Sequence, residues 1–254
     1  MTAGDIPVLS VTDVSLSIDG VRILDHVTLD VPRGELLVLI GPNGAGKTSL
    51  INVLSGAMTP SSGTVRIGTH DVTRWAPHRR ARAGVGRTFQ TSNLFVGRTV
   101  HENVRLAAVA GRLTWRNVLR PARPTTELAG NIAAHLELVG LAGRAGDLAA
   151  NLSHGDRRKL EMAMVLISDP EVILLDEPMA GVNTDDVPGL VELIKKVHRD
   201  KGVTIVMVEH HMHVVLDLAQ RIAVLVEGAL LAADAPDKIV ANATVQAAYV
   251  GEPL

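Results

Sequence analysis

The 254-residue sequence has no cysteine and very few aromatic residues. Without cysteine the chain can form neither a disulfide nor a thiolate metal site, which suits a reducing cytosol. Aromatic residues make up 2% of the chain, whereas hydrophobic residues make up 46%. The core must therefore be built from Val, Leu, Ile, Ala and Met. The length allows one large domain, or one domain with a small subdomain.

The sequence also lacks an excess of either charge and any long apolar run. The 25 Lys and Arg residues are balanced by 27 Asp and Glu, which gives no electrostatic reason to expect nucleic acid as a partner. No apolar run approaches the ~18 residues that a membrane span needs. Residues 1–7 lack a signal-peptide pattern. We expect a soluble intracellular protein that reaches a membrane only through a partner.

A glycine-rich loop in the first third fits the phosphate-binding pattern: Gly41-Pro42-Asn43-Gly44-Ala45-Gly46-Lys47-Thr48. An apolar strand pattern at 36–40 precedes it, and helical spacing at 49–54 follows it. Glycines let backbone N–H groups turn toward phosphate oxygens, and a helix N-terminus attracts anions. Lys47 is expected to reach the β- and γ-phosphates, and Thr48 to hold Mg²⁺. The alternative is a plain glycine turn, which rarely matches the whole pattern by chance.

The segments around this loop predict two kinds of structure. Residues 8–18 and 21–31 are strand patterns joined by an Asp19-Gly20 turn, so an antiparallel β layer precedes the loop. Residues 91–165 lack strand signals and predict a helical subdomain, in which Thr99 and Glu102 fit a capping box. The arginines between 79 and 82 are interpreted as a solvated helix face.

Two carboxylates, Asp176 and Glu177, end the apolar strand pattern at 171–175. In open α/β sheets, ligands bind at this edge of the strands. An Asp at such a position can hold Mg²⁺ through water, and an adjacent Glu can orient and deprotonate an attacking water. A solvated strand-end turn is the alternative, and the neighbouring phosphate loop weighs against it.

A second segment allows two interpretations. Leu152-Ser153-His154-Gly155-Asp156 precedes an amphipathic run at 157–167. Ser153 and Asp156 fit a capping box, so an ordinary helix start explains the segment as well as a functional motif does. Downstream, His210 follows the apolar strand pattern at 203–208.

Taken together, these segments resemble the ATP-binding subunits of ABC transporters. The matching pieces occur in that family's order and spacing, and they cover essentially the whole chain: Gly41 to Thr48, Gln90, Leu152 to Gly155, Ile173 to Pro178 and His210. Finer features resemble one branch, which serves importers of branched-chain amino acids and of related amides or urea. These features are residues 86–90, 99–104, the interrupted segment near 113–126, and residues 180–183, 208–210 and 248–251.

The resemblance implies an α/β fold with a P-loop NTPase core. This core has a mixed sheet, an N-terminal antiparallel β subdomain, and a helical subdomain inserted between the Q-loop around Gln90 and the signature helix after Ser153. Residues 1–254 would form a single ABC ATP-binding domain. Approximately residues 1–90 and 166–254 would form the ATPase core with its β subdomain, and approximately 91–165 the helical subdomain.

The resemblance also implies that two such subunits enclose two ATP molecules with Mg²⁺. The implied catalytic residues are Lys47, Gln90, Glu177 as general base and His210 as a donor to the γ-phosphate. The implied Mg²⁺ ligands are Thr48, Gln90 and Asp176. The implied nucleotide-binding residues are Gly41, Pro42, Asn43, Gly44, Ala45, Gly46, Lys47, Thr48, Ser49 and Ile18, with Ser153 and Gly155 supplied by the opposite subunit.

The implied partners are a second, identical or homologous ATP-binding subunit, two transmembrane permease subunits and, indirectly, a substrate-binding protein, but no nucleic acid. The implied location is cytoplasmic, peripheral on the inner face of the cell membrane. The alternative is a soluble ABC-type ATPase that acts on nucleic acid or ribosomes. The balanced charge and the absence of sustained heptads between Gln90 and Ser153 weigh against it. A phosphate-loop kinase would not explain residues 152–155 or His210.

Two positions depart from the family pattern. Ile18 stands where an aromatic residue commonly stacks on adenine, so we expect apolar contact in place of stacking and modest base selectivity. Asp156 stands where the signature usually has Gln. Because a carboxylate near the γ-phosphate is electrostatically unfavourable, we expect Asp156 to turn back and cap its own helix.

Overall fold

The structure is a computed structural model that describes residues 6–88, 94–110 and 125–248. Gln90 and residues 249–251 lie outside these ranges, as does the interrupted segment near 113–126, except for Thr125 and Thr126 at the start of a helix. The described strands are β1 (Leu9–Ile18), β2 (Val21–Val31), β3 (Leu36–Ile40), β4 (Ser62–Ile67), β5 (His70–Asp71), β6 (Val85–Arg87), β7 (Val172–Asp176), β8 (Thr204–Val208), β9 (Arg221–Val226) and β10 (Ala229–Asp234).

Three of the described helices follow one another between β6 and β7, and the others lie between or after the remaining strands. The described helices are α1 (Lys47–Ser55), α2 (Pro77–Arg82), α3 (Val100–Ala110), α4 (Thr125–Leu138), α5 (His154–Leu166), α6 (Val187–Lys201), α7 (Met212–Leu218), α8 (Pro236–Val240) and α9 (Ala243–Ala248). Short 3-10 turns occur at Ala142–Arg144, Ala149–Asn151 and Thr184–Asp186. None of the helices within residues 6–88, 94–110 and 125–248 combines the length and apolarity that crossing a bilayer requires.

The described strands form two sheets. The first has the order β2-β1-β4-β5 and is antiparallel, as the sequence predicted for the N-terminal layer. The second has the order β10-β9-β3-β8-β7-β6, in which β10 pairs antiparallel with β9 and the remaining neighbours pair in parallel. The mixed sheet and the antiparallel N-terminal sheet confirm the predicted fold class.

The central strand β3 contributes to two separate cores. Leu36, Val38 and Ile40 pack in a core with the helices of the middle and C-terminal regions. Leu37 and Leu39 pack in a second core that includes α1 and the antiparallel sheet. A strand in a parallel sheet is buried on both faces, which explains its continuous apolar sequence.

The described middle region is helical, as predicted. Helix α3 begins with the expected capping box: the Glu102 N–H donates to Thr99 Oγ1 at 3.1 Å, and the Thr99 N–H donates to Glu102 Oε2 at 2.9 Å. Helix α3 packs against both α4 and α5. The buried side chain of Asn103 donates to the carbonyl oxygens of Phe95 and Thr99, and so ties the preceding loop to the helix.

The interpretation of residues 79–82 as a solvated face is wrong for Arg80. This side chain is only 1% exposed. Its guanidinium donates to the carbonyl oxygens of Val53 at 2.6 Å and Leu54 at 2.8 Å, and to Thr73 at 3.1 Å. Arg80 therefore adds a donor to carbonyl groups at the C-terminus of α1, where the Val53 carbonyl also accepts the N–H of the C-cap residue Gly56 at 3.2 Å. Burial lowers the pKa of Arg80 to about 10, against the opposing charge of Asp71.

We predict that Arg80→Met lowers the free energy of unfolding by about 3 kcal/mol, because it removes the guanidinium that donates to the carbonyl groups of Val53, Leu54 and Thr73. Denaturant unfolding of the purified chain measures this loss. The matched control is Arg79→Met, which removes an exposed neighbour whose guanidinium lies 4.9 Å from the centre of the Trp75 ring. The control should cost about 1 kcal/mol or less. Equal losses in the two variants would contradict the capping role of Arg80.

Candidate active site

The glycine loop lies between β3 and α1, and two of its glycines are required by close packing. A Cβ on Gly41 would lie 2.1 Å from the carbonyl oxygen of Leu225, and a Cβ on Gly46 would lie 2.8 Å from that of Ile23. Gly44 faces open space and has a φ of 81°, a left-handed conformation that favours glycine. The loop is therefore anchored at both ends and open at its middle, the shape that a phosphate-binding loop needs.

Helix α1 presents its N-terminus to this loop. Its N-cap residue, Gly46, has no side chain, so no side-chain acceptor caps the helix. The N–H groups and the dipole of a helix N-terminus attract anions. The Lys47 ammonium donates to the carbonyl oxygens of Gly41 at 2.7 Å and Pro42 at 3.0 Å, so it lies over the loop. A positive charge thus faces the same space as the helix N-terminus.

Asp176 ends β7 and is buried next to Thr48, with 1% of its surface exposed. The Thr48 hydroxyl donates to Asp176 Oδ1 at 3.4 Å. Burial raises the pKa of Asp176, while the Arg87 guanidinium, 3.5 Å from Oδ2, acts in the opposite direction. Oδ2 has no hydrogen-bond partner among the described residues. Asp176 Oδ2 and the nearby hydroxyl oxygen of Thr48 are both oxygen ligands. They fit Mg²⁺, which prefers oxygen ligands.

Glu177 follows Asp176 in a strained backbone conformation. Its φ is 48°, an uncommon value for a residue with a side chain. Its N–H donates to the Val208 carbonyl at 3.0 Å, and its own carbonyl accepts from the Ala180 N–H at 3.0 Å. These bonds hold the turn at the strand end. Such strain costs on the order of 1–3 kcal/mol and is concentrated at functional sites.

His210 follows β8, the strand between β3 and β7. Its side chain is 54% exposed. Its ring lies beside the His211 ring, with 4.1 Å between the ring centres. Because β3, β8 and β7 are parallel neighbours, the structure brings the glycine loop, Asp176 with Glu177, and His210 to one edge of the sheet.

Three other predicted site residues lie elsewhere, and one lies outside the described part of the chain. Ser153 and Gly155 are at the N-terminus of α5, which packs against α3, α4 and α6, and no hydrogen bond among the described residues joins them to the glycine loop. Ile18 is 40% exposed beside the turn between β1 and β2. Gln90 lies in the range 89–93, which the structure does not describe.

The expectation that Asp156 caps its own helix is wrong. Its carboxylate pairs with Arg144, with Nη1 and Oδ2 2.5 Å apart, and with Lys159, with Nζ and Oδ1 3.3 Å apart. The other half of the predicted box is present, because Ser153 Oγ accepts from the Asp156 N–H at 3.1 Å. In these two pairs both partners carry charge, whereas in the expected bond to a backbone N–H only the carboxylate would.

Sequence reasoning missed Arg87. Its guanidinium is partly buried and donates to the hydroxyl of Ser55, at the C-terminal end of α1, at 2.7 Å, while it also faces Asp176. Arg87 therefore links α1 to the carboxylate at the end of β7. In the sequence, Arg87 is only a single arginine in a short strand pattern. Its position beside Asp176 depends on the pairing of β6 with β7, a tertiary contact that local sequence does not indicate.

The class of P-loop nucleotide-binding ATPases is defined by a phosphate-binding loop with its lysine and by carboxylates at the ends of neighbouring parallel strands. Comparison with protein families is more specific: residues 24–180 match the family described as ABC transporter. The chain belongs to this family, whose members bind and hydrolyse ATP to drive transport.

The relatives extend this match over nearly the whole chain. The chain is 37% identical over 251 residues to LivG of Salmonella typhimurium, a high-affinity branched-chain amino acid transport ATP-binding protein, covering 97% of this chain and 98% of that protein. It is 34% identical over 254 residues to BraF of Pseudomonas aeruginosa, which has the same description, again covering 97% and 98%. Among solved structures, the ADP conformation of MJ1267, an ATP-binding cassette of an ABC transporter, has a TM-score of 0.85 at 26% identity, covering 96% of this chain and 99% of that one.

We predict that Asp176→Asn raises the melting temperature of the nucleotide-free protein at pH 7.5 by about 2–4 °C. The pKa of Asp176 is raised in the folded state, so the charged carboxylate costs stability above that pKa. The cost disappears as the pH falls toward the ordinary value of ~3.9. The two melting temperatures should therefore converge between pH 7.5 and pH 4 in a calorimetric series.

The matched experiment repeats this substitution in an Arg87→Met background. Removing the guanidinium takes away the charge that lowers the pKa of Asp176, so the gain from Asn should become larger at pH 7.5. A variant Asp176→Asn that is less stable than the parent at pH 7.5 would contradict the direction of the pKa shift.

Proposed function

We propose that this chain is the ATP-hydrolysing subunit of an importer of branched-chain amino acids, bound at the inner face of the cell membrane. The observation that carries the proposal is the convergence of the glycine loop, Asp176, Glu177 and His210 at one sheet edge, in a chain similar over nearly its full length to LivG and BraF. No observation favours a soluble ATPase that acts on nucleic acid or ribosomes.

The loop and helix α1 bind the phosphates in this proposal. The backbone N–H groups between Asn43 and Ser49 and the Lys47 ammonium hold the β- and γ-phosphates. Thr48 and Asp176, together with Gln90, hold Mg²⁺, which would neutralise charge on the phosphate oxygens. Ile18 is exposed beside the turn between β1 and β2, and supplies an apolar surface for adenine.

Glu177 and His210 carry the chemistry. Glu177 takes a proton from the attacking water, whose oxygen forms a bond to the γ-phosphorus as the bond to the bridging oxygen of ADP breaks. His210 donates a hydrogen bond to the γ-phosphate. Support for these roles comes from the strained backbone at Glu177, directly after β7, and from the position of His210 after the neighbouring strand.

A second ATP-binding subunit, identical or homologous, completes the site. Ser153 and Gly155 begin the 13-residue helix α5, whose N-terminus is suited to an anion. They lie on a different part of the fold from the glycine loop of their own chain. In a pair of facing subunits, this helix end would approach the γ-phosphate bound to the opposite chain, so hydrolysis would require closure of the pair.

We predict that Glu177→Gln accumulates as a dimer in Mg-ATP, because the variant binds ATP but cannot remove the proton from water. Light scattering during size exclusion measures the mass, with ADP as the control nucleotide. The parent should hydrolyse ATP, and the variant should lose activity by about 10²-fold or more. A second variant, Lys47→Ala with Glu177→Gln, should remain monomeric because its ATP affinity is reduced.

Two outcomes decide this experiment. A dimer that forms with ATP and not with ADP supports a composite site. If neither the parent nor Glu177→Gln binds ATP, the proposed function is wrong.

The other proposed partners are two transmembrane permease subunits, which bind this chain directly. A substrate-binding protein is an indirect partner through the permeases, and nucleic acid is not a proposed partner. Apolar side chains that are exposed around α3 offer a docking surface: Phe95, Val96, Leu106, Val109 and Leu148. They belong to the proposed helical subdomain, approximately residues 91–165, and Phe95 and Val96 follow shortly after the range that contains Gln90. Closure of the ATPase pair would move this surface and so pull on the permeases.

We predict that deleting the gene for this chain in its own organism reduces high-affinity uptake of leucine, isoleucine and valine by about tenfold or more, because the permeases lose their source of energy. Uptake of radiolabelled amino acid at micromolar concentration measures this. The parent gene should restore uptake, whereas Glu177→Gln should not. Phosphate and sulfate uptake serve as controls, since importers of these ions also have similar ATP-binding subunits. A loss of phosphate or sulfate uptake alone would contradict the proposed substrate.

A further inference from the structure

Three consecutive residues after β8, namely Glu209, His210 and His211, form a cluster of groups that can bind metal. Each offers one ligand atom, and these atoms lie within 4.8 Å of one another. We propose that this cluster binds a transition-metal ion of the zinc class, and that the bound ion restrains His210 and slows ATP hydrolysis. The second part rests on the proposed role of His210, whereas the first part does not.

The distances in the cluster are close to those of a zinc site. His211 Nδ1 lies 2.8 Å from Glu209 Oε1, and His210 Nδ1 lies 3.5 Å from the same oxygen. Zinc bonds to imidazole nitrogen and carboxylate oxygen are ~2.0–2.2 Å long, so ligand atoms in a tetrahedral site lie about 3.4 Å apart. Small rotations of the two rings would therefore bring all three atoms to bonding distance. Two imidazoles and one carboxylate are a known zinc ligand set.

Glu209 gives the cluster a fixed anchor in which one carboxylate oxygen is unsatisfied among the described residues. Its side chain is fully buried, and Oε1 accepts the N–H groups of His210 at 2.9 Å and His211 at 3.2 Å. Oε2 is buried and has no hydrogen-bond partner among the described residues. A buried carboxylate of this kind is unfavourable unless a cation compensates it. The two imidazoles are the ion-pair partners that the described residues provide, and a metal ion between them would supply the missing charge.

The imidazoles keep the site accessible. The side chains of His210 and His211 are 54% and 42% exposed, so an ion can enter from solvent and retain water in its remaining position. An ion bound to His210 Nδ1 would fix the ring against Glu209 and His211. The ring could then no longer rotate to follow the γ-phosphate, and hydrolysis would slow while ATP binding continued.

Zinc binding to the purified, untagged chain tests the first part of the proposal. Competition with a chromogenic chelator, without nucleotide, should give one Zn²⁺ per chain. Glu209→Gln and His211→Gln should each weaken binding by about tenfold or more, because each removes a ligand. The matched control is His213→Gln, whose ring lies 5.9 Å from that of His211 and outside the cluster. Thermal unfolding checks that each variant is folded.

Two results would contradict the proposed zinc site. If Zn²⁺ does not bind, or if His213→Gln weakens binding as much as His211→Gln does, the Glu209–His211 contact is an ordinary hydrogen bond and the proposal is wrong. His211→Gln provides the second variant in case Glu209→Gln fails to fold.

ATP hydrolysis with and without one equivalent of Zn²⁺ tests the second part. We expect Zn²⁺ to slow the parent, a zinc-selective chelator to restore its rate, and His211→Gln to be resistant. If Zn²⁺ binds but the rate of ATP hydrolysis is unchanged, the proposed restraint of His210 is contradicted, whereas the proposed metal site is supported. If the parent does not hydrolyse ATP at all, the proposed function fails, and the binding result still decides the site.

Discussion

The parallel pairing of β3, β8 and β7 is the constraint on which the active site depends. It places the ends of three strands side by side, so that the glycine loop, His210, and Asp176 with Glu177 share one edge. The pairing is stabilised by apolar side chains on both faces of the strands, which pack into two different cores. Burial of these strands is therefore what brings polar groups from distant parts of the sequence together.

The helix after the glycine loop is held at both ends, and this fixes the loop relative to the carboxylates. At its start, Gly41 and Gly46 approach the backbone of Leu225 and Ile23 closely. At its end, Arg80 binds the carbonyl groups of the last turn, and Arg87 joins Ser55 to Asp176. Two buried or partly buried arginines thus hold the helix in position. The desolvation of these two guanidinium groups is unfavourable, and it is offset by their bonds to backbone carbonyl groups, to the Ser55 hydroxyl and to the Asp176 carboxylate.

The sequence was sufficient for the features that depend on local chemistry. Glycine spacing identified the loop, an apolar run followed by Asp176 and Glu177 identified a strand end, and the spacing of Thr99 and Glu102 identified a capping box. It was insufficient where a distant residue decides the outcome. Arg80 is buried because carbonyl groups of α1 lie beside it, and Asp156 turns to Arg144 because that cation is within reach. Neither partner can be identified from local sequence.

The same limit applies to the charges at the edge of the sheet. A pattern of residues can place a carboxylate there, but its ionisation depends on the balance between burial and nearby cations, as the opposing effects on Asp176 illustrate. Glu209 is a second buried carboxylate at this edge among the described residues, and its neighbours are imidazoles, which carry charge only when protonated. Among the described residues, Asp176 is therefore paired with a permanent cation, whereas Glu209 is paired only with imidazoles. This difference is why the two carboxylates at one sheet edge are suited to different ions: magnesium beside the phosphate loop, and a metal that accepts nitrogen ligands beside the histidines.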